Sequence, residues 1–140
     1  PDPTCDMGIH RFSYSLVPHY GPYNYAGIVQ AAYAFNAPLR SVLLEATKGV
    51  TGDLPALVAC EDRNIVVESV KKAEDSDDII VRLYECHNSR GKAELTCAKE
   101  PQVAMLCDLE ENEIDELPIQ EGIVCFDYKP FEILTIKLKL

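Results

Sequence analysis

Strict alternation of apolar and polar residues is the feature of this 140-residue sequence that most constrains its fold. The last segment, EILTIKLKL, places Leu134, Ile136 and Leu138 on one side of an extended chain, and Thr135 and Lys137 on the other. A period of two predicts a β-strand with one face in a core and one face in water. The segment KAELTCAK repeats the pattern, so more than one strand is expected.

Six such runs follow one another from Ile65 onward: NIVVESVKKAE, DIIVRLYECH, KAELTCAK, QVAMLCDLE, GIVCFDYK and EILTIKLKL. The segments EDSDD, NSRGK and KEP, and a KP before the last run, separate them and are typical of turns. No helical periodicity lies between the runs. Short strands at near-regular spacing predict an all-β fold, an antiparallel β-sandwich.

The first fifty residues predict a different organisation. The run HRFSYSL alternates and predicts a strand whose apolar face, Phe12, Tyr14 and Leu16, is buried. The run YAGIVQAAYAFN has helical spacing and predicts one short helix near residues 24–36, with Asn24 as its N-cap. SVLLEA then predicts a return to strand.

The stretch KGVTGDLP, with two glycines and a proline, is the best candidate linker. It predicts a division of the chain into residues 1–50 and residues 51–140. The sequence begins with PDPT rather than with Met, which we interpret as a piece of a longer protein.

The formal net charge of −10 argues against partners that are themselves anionic. Nucleic-acid phosphates and anionic membrane surfaces would be repelled, and no cluster of Lys and Arg offsets the charge. We therefore expect no nucleic acid and no membrane as a partner. The acids concentrate in AEDSDD and DLEENEIDE, which do not match a calcium-binding loop and are predicted to be solvated loops.

The six cysteines show no zinc-type C-x-x-C pair. Five lie in apolar segments: Cys60, Cys86, Cys97, Cys107 and Cys125. We expect these five to be buried, free thiols, because free cysteine behaves as a small hydrophobic residue. Such thiols indicate a reducing compartment and predict a cytoplasmic location.

Only Asp6, His10 and His19 form a group that merits testing as a site. Their spacing matches no metal motif, and a histidine beside an aspartate is more often a structural hydrogen bond than a catalytic pair. No nucleophile elbow and no glycine-rich phosphate loop is present. The residues alone therefore predict no catalytic, cofactor-binding or metal-binding residue in this chain.

The stretch DMGIHRFSYSLVPHYG, followed by AGIVQAAYAFNAPL, resembles the carboxy-terminal region of glycoside hydrolase family 38, the α-mannosidases, in its cytosolic and bacterial branch. The family run Asp-x-Gly-x-His-x-Phe-x-Tyr is matched by Asp6, Gly8, His10, Phe12 and Tyr14. The family element Ala-x-x-x-Asn-x-Pro-Leu is matched by AYAFNAPL. VVESVKKAEDSDDIIVRLYE, CDLEE and KPFEILTIKL resemble its later strands, so the resemblance runs nearly end to end.

The resemblance implies a parent enzyme that performs zinc-dependent, retaining hydrolysis of terminal α-D-mannose residues. It places the zinc ligands and the nucleophilic aspartate in an amino-terminal half that this chain lacks, so zinc is expected in the parent and not here. The implied partners are the N-terminal catalytic domains of the same polypeptide and, through the parent, a mannose-containing glycan. Residues 1–50 would end the larger β-sandwich region, and residues 51–140 would form the small terminal sandwich.

Two functions remain open at this point. The chain is either a non-catalytic β-sandwich portion of an α-mannosidase or a separate carbohydrate-binding module without hydrolase activity. The lack of Trp favours the first, because sugar-binding modules usually stack an aromatic ring under the sugar. In the first case we expect Asp6 and His10 to edge or brace the mannose cleft. A purely local role in fixing a turn is the open alternative.

Overall fold

A computed structural model of the chain describes residues 2–42 and 55–140. The chain divides into two compact units, Pro1–Leu39 and Arg40–Leu140, which we call the leading unit and the sandwich unit. The predicted domain boundary, the linker KGVTGDLP and the strand SVLLEA fall almost entirely on residues 43–54, outside the described residues, and they stay predictions.

The leading unit contains the one predicted helix. A 3-10 turn, Tyr23–Tyr25, precedes the α-helix α1, Ile28–Asn36. Asn24 is not the N-cap, which corrects the sequence prediction: Gly27 takes that position with φ 64°, and no side chain caps the helix. The left-handed Gly27 lies between the 3-10 turn and α1 and interrupts the helical path, so α1 cannot begin earlier. No helix within the described ranges is long and apolar enough to cross a membrane.

The strand predicted for HRFSYSL is wrong in this structure. Residues 10–16 form no strand, and Phe12, Tyr14 and Leu16 are 84%, 81% and 85% exposed instead of buried. A strand needs a neighbouring strand to accept and donate its backbone hydrogen bonds. No such neighbour pairs with this run among the residues that the structure describes.

The sandwich unit contains two antiparallel sheets, which confirms the predicted fold class. The strands are β1 (Val58–Ala59), β2 (Ile65–Lys72), β3 (Ile79–Glu85), β4 (Gly91–Cys97), β5 (Val103–Cys107), β6 (Glu113–Glu116), β7 (Ile119–Gln120), β8 (Ile123–Tyr128) and β9 (Ile133–Lys139). One sheet has the order β1-β4-β8-β7 and the other has the order β2-β3-β9-β5-β6. All of their pairings are antiparallel.

The core lies between the apolar faces of these strands, as the alternation predicts. Leu83 pairs with Leu134 across β3 and β9, and both side chains are buried. In the other sheet Leu95 pairs with Val124, and both are fully buried. Paired residues share one face of a sheet, so each pair adds two side chains to the same core.

Three strands were not predicted, and one of them corrects a loop prediction. β6 lies inside the acidic run DLEENEIDE and pairs with β5 at the edge of the five-stranded sheet. All four of its residues are exposed, so no apolar face marks it as a strand in the sequence. β1 and β7 are two residues long, too short to produce a visible period.

All six cysteines are free thiols, but four of the five that were predicted to be buried are less buried than expected. Cys107 is buried, whereas Cys60, Cys86, Cys97 and Cys125 are half-buried. Burial raises the pKa of the Cys107 thiol above its ordinary value. Cys97, Cys107 and Cys125 lie on strands, whereas Cys60 and Cys86 come directly after β1 and β3.

Candidate functional site

The structure brings Asp6 and His10 together, but through the main chain. His10 Nε2 donates a hydrogen bond to the backbone oxygen of Asp6 over 2.8 Å, and both residues are exposed. Asp6 has φ 59° and Gly8 has φ 130°, so the chain turns sharply between the two partners. His19 is exposed as well. The Asp6 carboxylate is left to accept a weak bond from Cys5 Sγ at 3.5 Å.

This geometry forms a turn brace and not an acid–base pair. A neutral carbonyl oxygen fixes the His10 ring in one tautomer, but it does not carry the negative charge by which a carboxylate stabilises an imidazolium. The role of Asp6 and His10 at the edge of a mannose cleft stays a prediction.

The described residues do not provide a metal site. Across residues 2–42 and 55–140, no three side chains of His, Cys, Asp or Glu gather closely enough to hold an ion. The donor sets of these described residues therefore do not fit zinc, and no chemical step is assigned to it.

A groove of about 570 Å³ with a mixed polar and apolar lining lies on the outer face of the four-stranded sheet, and we call it the sheet groove. Ala93 and Leu95 point into the core, so the intervening side chains of β4 point away from it. The polar side chains along the groove are Glu61, Asp62, Lys92, Glu94, Thr96 and Gln120. They place hydrogen-bond donors and acceptors around one concave surface.

Asp62 is held in place at this groove by a buried tyrosine. Tyr128, 5% exposed, donates its hydroxyl hydrogen to Asp62 Oδ2 over 3.0 Å and accepts a bond from Asn64 Nδ2 over 2.9 Å. The backbone N–H of Asn64 donates to Asp62 Oδ1 over 2.8 Å. Burial raises the pKa of Tyr128, so its hydroxyl stays a donor at neutral pH. A Cβ at Gly91 would lie 2.8 Å from the Tyr128 hydroxyl oxygen, so the absence of a side chain at Gly91 leaves room for the tyrosine ring.

A buried carboxylate, Glu85, lies at the end of β3 and is 1% exposed. Its Oε1 accepts the backbone N–H groups of His87 and Ser89 over 2.8 and 2.9 Å, and its Oε2 accepts that of Phe131 over 2.8 Å. Burial by itself would raise the pKa of Glu85, but these N–H groups outweigh it and lower the pKa below its ordinary value. Glu85 therefore stays ionised and ties the β3–β4 turn to the β8–β9 turn.

Sequence reasoning missed both the groove and Glu85. The polar alternation of β4 already placed Lys92, Glu94 and Thr96 on one outward face, which was the available signal. The groove walls come from the residues before β2 and from β7, and no local pattern brings these segments together. Glu85 reads in RLYECH as one more polar strand residue.

Comparison with known proteins agrees with this sandwich. Residues 64–136 match the family model described as the glycosyl hydrolases family 38 C-terminal beta sandwich domain. Human Alpha-mannosidase 2C1 is 34% identical over 145 aligned residues, which include all of this chain and 14% of the human protein. Alpha-mannosidase 2C1 of Mus musculus is 33% identical over the same share, and Alpha-mannosidase G of Dictyostelium discoideum is 28% identical over 98% of the chain and 13% of its own length. This chain therefore belongs to glycosyl hydrolase family 38, as a C-terminal β-sandwich region that spans about one seventh of the length of the relatives it matches.

Proposed function

We propose that this chain is the non-catalytic C-terminal β-sandwich portion of an α-mannosidase. In this proposal the polypeptide outside the chain performs zinc-dependent, retaining hydrolysis of terminal α-D-mannose residues on a mannose-containing glycan. The observation that carries the proposal is the similarity to α-mannosidases along the whole chain, 34% identity in the human case.

The chemistry of the described side chains supports a non-catalytic role. A retaining glycosidase needs a nucleophilic carboxylate and, about 5 Å away, a general acid whose pKa is raised. Glu85, a carboxylate that is 1% exposed, has the opposite property, since backbone N–H groups lower its pKa and occupy both of its oxygens. Asp6 and His10 meet through a backbone oxygen, so they do not supply such a pair either.

The exposed surface of the leading unit supports the N-terminal catalytic domains of the same polypeptide as the partner. No described residue from 2 to 39 is buried. The large apolar side chains that it exposes are Met7, Ile9, Phe12, Tyr14, Leu16, Val17, Tyr20, Tyr23, Tyr25, Tyr33, Phe35 and Leu39. An apolar surface of this extent is typical of an interface, and each large side chain that is covered contributes about 1.5–3 kcal/mol.

In the intact enzyme, Asp6 and His10 would then edge or brace the mannose cleft without performing the chemistry. Their exposure and the sharp turn between them support this role, because a fixed polar turn beside an apolar surface can meet a neighbouring domain. The bond from His10 to the Asp6 backbone oxygen would set the shape of that turn.

Turnover of an aryl α-mannoside tests the proposal. We expect the full-length protein that contains this chain to hydrolyse the substrate, to lose activity on chelation and to regain it with zinc. The purified 140-residue chain should show no turnover with or without zinc. Hydrolysis by the chain alone, or activity of the full-length protein that survives complete chelation, would contradict the proposal.

A further inference from the structure

We propose that the sheet groove binds an uncharged, hexose-sized sugar through side-chain hydrogen bonds. Its volume of about 570 Å³ lies within the range of about 300–1,000 Å³ that is usual for small-molecule sites. The choice of a sugar among polyhydroxylated ligands rests on the proposed function, which supplies a glycan. The hydrogen-bond donors and acceptors belong to the groove itself.

The groove offers both acceptors and donors, as a polyol requires. The carboxylates of Glu61, Asp62 and Glu94 accept hydrogen bonds, and the Lys92 ammonium and the Gln120 amide donate them. Sugar hydroxyl groups do both, and a bond between a hydroxyl and a carboxylate is charge-assisted. Neighbouring hydroxyls of one ring can therefore be satisfied by neighbouring side chains of the groove.

The acceptor at one wall is already fixed in position. Asp62 receives bonds from the Tyr128 hydroxyl at 3.0 Å and from the Asn64 backbone at 2.8 Å. Its carboxylate therefore loses little rotational freedom when a ligand arrives, and this reduces the entropic cost of binding. Tyr128 is buried, so the support lies beneath the groove and does not compete for its space.

The lining also disfavours anionic ligands. Phosphate-bearing ligands are repelled by three carboxylates against the one ammonium of Lys92. A simple cation is not disfavoured in this way, because the carboxylates outnumber Lys92, so the test below includes a cation as a competing ligand. No aromatic ring is among the groove side chains given above, so stacking does not contribute and affinity should be weak, on the order of 1–10 mM.

NMR titration of the isotope-labelled 140-residue chain with methyl α-D-mannopyranoside tests the inference. We expect saturable amide shifts in β4 and β7 with a Kd on the order of 1–10 mM. Glu94→Ala and Gln120→Ala should each weaken binding by about tenfold. Glu116→Ala, which removes an exposed carboxylate from the other sheet, is the matched control and should bind as the parent chain does.

Three outcomes would overturn the inference. They are linear shifts without saturation up to about 100 mM sugar, equal weakening by Glu116→Ala, and the same shifts at lower concentration with putrescine, which would identify a cation site. Unchanged spectral dispersion and unfolding temperature of the variants exclude loss of fold.

The proposed function is tested by turnover of the full-length protein, so its failure is distinguishable from that of the groove. An inert groove beside an active enzyme overturns only this inference, and a groove that binds sugar in an inactive protein overturns only the proposed function.

Discussion

The segments HRFSYSL and EILTIKLKL carry the same alternation of apolar and polar residues, yet they differ completely in structure. Phe12 in the first is 84% exposed, whereas Ile136 in the second is fully buried. β9 has β3 on one side and β5 on the other, and no strand among the described residues pairs with the first segment. Alternation thus indicates which face of a segment can be buried, and burial of that face requires a neighbouring strand.

A leucine-to-alanine substitution should differ strongly in its cost to stability between the two units. Leu83→Ala should lower the free energy of unfolding by about 2–5 kcal/mol, because it opens a cavity in the core. Leu16→Ala should change it by less than about 0.5 kcal/mol, since that side chain is exposed. The two exposures are 0% and 85%. Urea unfolding of the 140-residue chain measures both free energies, and an equal loss in the two variants would contradict this prediction.

A smaller effect is expected at Glu85 in the sandwich unit. Glu85→Gln should cost about 1–3 kcal/mol, since an amide N–H₂ would replace a carboxylate oxygen that accepts backbone N–H bonds. The control is Glu116→Gln on the exposed strand β6, which should be nearly neutral.

The dependence on pH sharpens the test of Glu85. The folded-state pKa of Glu85 is lowered, so its contribution to the free energy of unfolding is fully present above the ordinary glutamate pKa of about 4.3. The contribution is lost as the pH falls through the lower folded-state pKa. Stability curves of the parent chain and of Glu85→Gln should converge in this acidic range, and parallel curves throughout would contradict the assignment.

In the leading unit, substitutions should matter only when the rest of the polypeptide is present. Asp6→Asn keeps the backbone oxygen that His10 binds, so it reports the carboxylate alone. His10→Ala removes the brace. If both residues edge or brace the cleft, each substitution should lower kcat/KM of the full-length protein. The loss should correspond to about 1–3 kcal/mol of transition-state stabilisation, with little change in stability.

His19→Ala is the control for these two variants. An effect of His10→Ala on melting temperature, with activity per folded molecule unchanged in both variants, would reduce the pair to a local turn lock.

The smallest effect is a difference in thiol reactivity between the units. Cys5 in the leading unit is exposed and Cys107 in the sandwich unit is buried. Burial raises the pKa of Cys107, so it holds less thiolate at neutral pH. A thiol-reactive chromophore should label Cys5 first and Cys107 last, as read by peptide mass spectrometry. All six thiols should react in denaturant, and fewer would indicate a disulfide.

Sequence reasoning predicted the sandwich well because its information is local. Each strand from β2 to β5, together with β8 and β9, has an apolar face or run of its own. β6 has the sequence EIDE and no apolar face, so only its partner β5 makes it a strand. The predicted start of α1 was wrong for a similar reason. The left-handed Gly27 determines where the helix begins, whereas Asn24 only has a side chain suitable for capping.

The candidate sites were harder to predict because they depend on contacts that are distant in the chain or specific to single atoms. Asp62 and Tyr128 are separated by 66 residues, and no motif connects them. His10 does meet Asp6, but the bond uses the backbone oxygen of Asp6. Sequence spacing identifies which residues are near each other, and only geometry identifies the atoms that meet.

The acidic edge strand β6 has a consequence for how the chain behaves in concentrated solution. An open strand edge is a template on which another chain can add, and repeated addition leads to fibres. Glu113, Asp115 and Glu116 would face the same acids in a second β6, and like charges opposite each other are unfavourable. This repulsion acts over about 8 Å at physiological ionic strength and shortens as salt is added. The repulsion therefore opposes self-assembly through this edge most strongly in dilute salt, and storage in high salt would screen it.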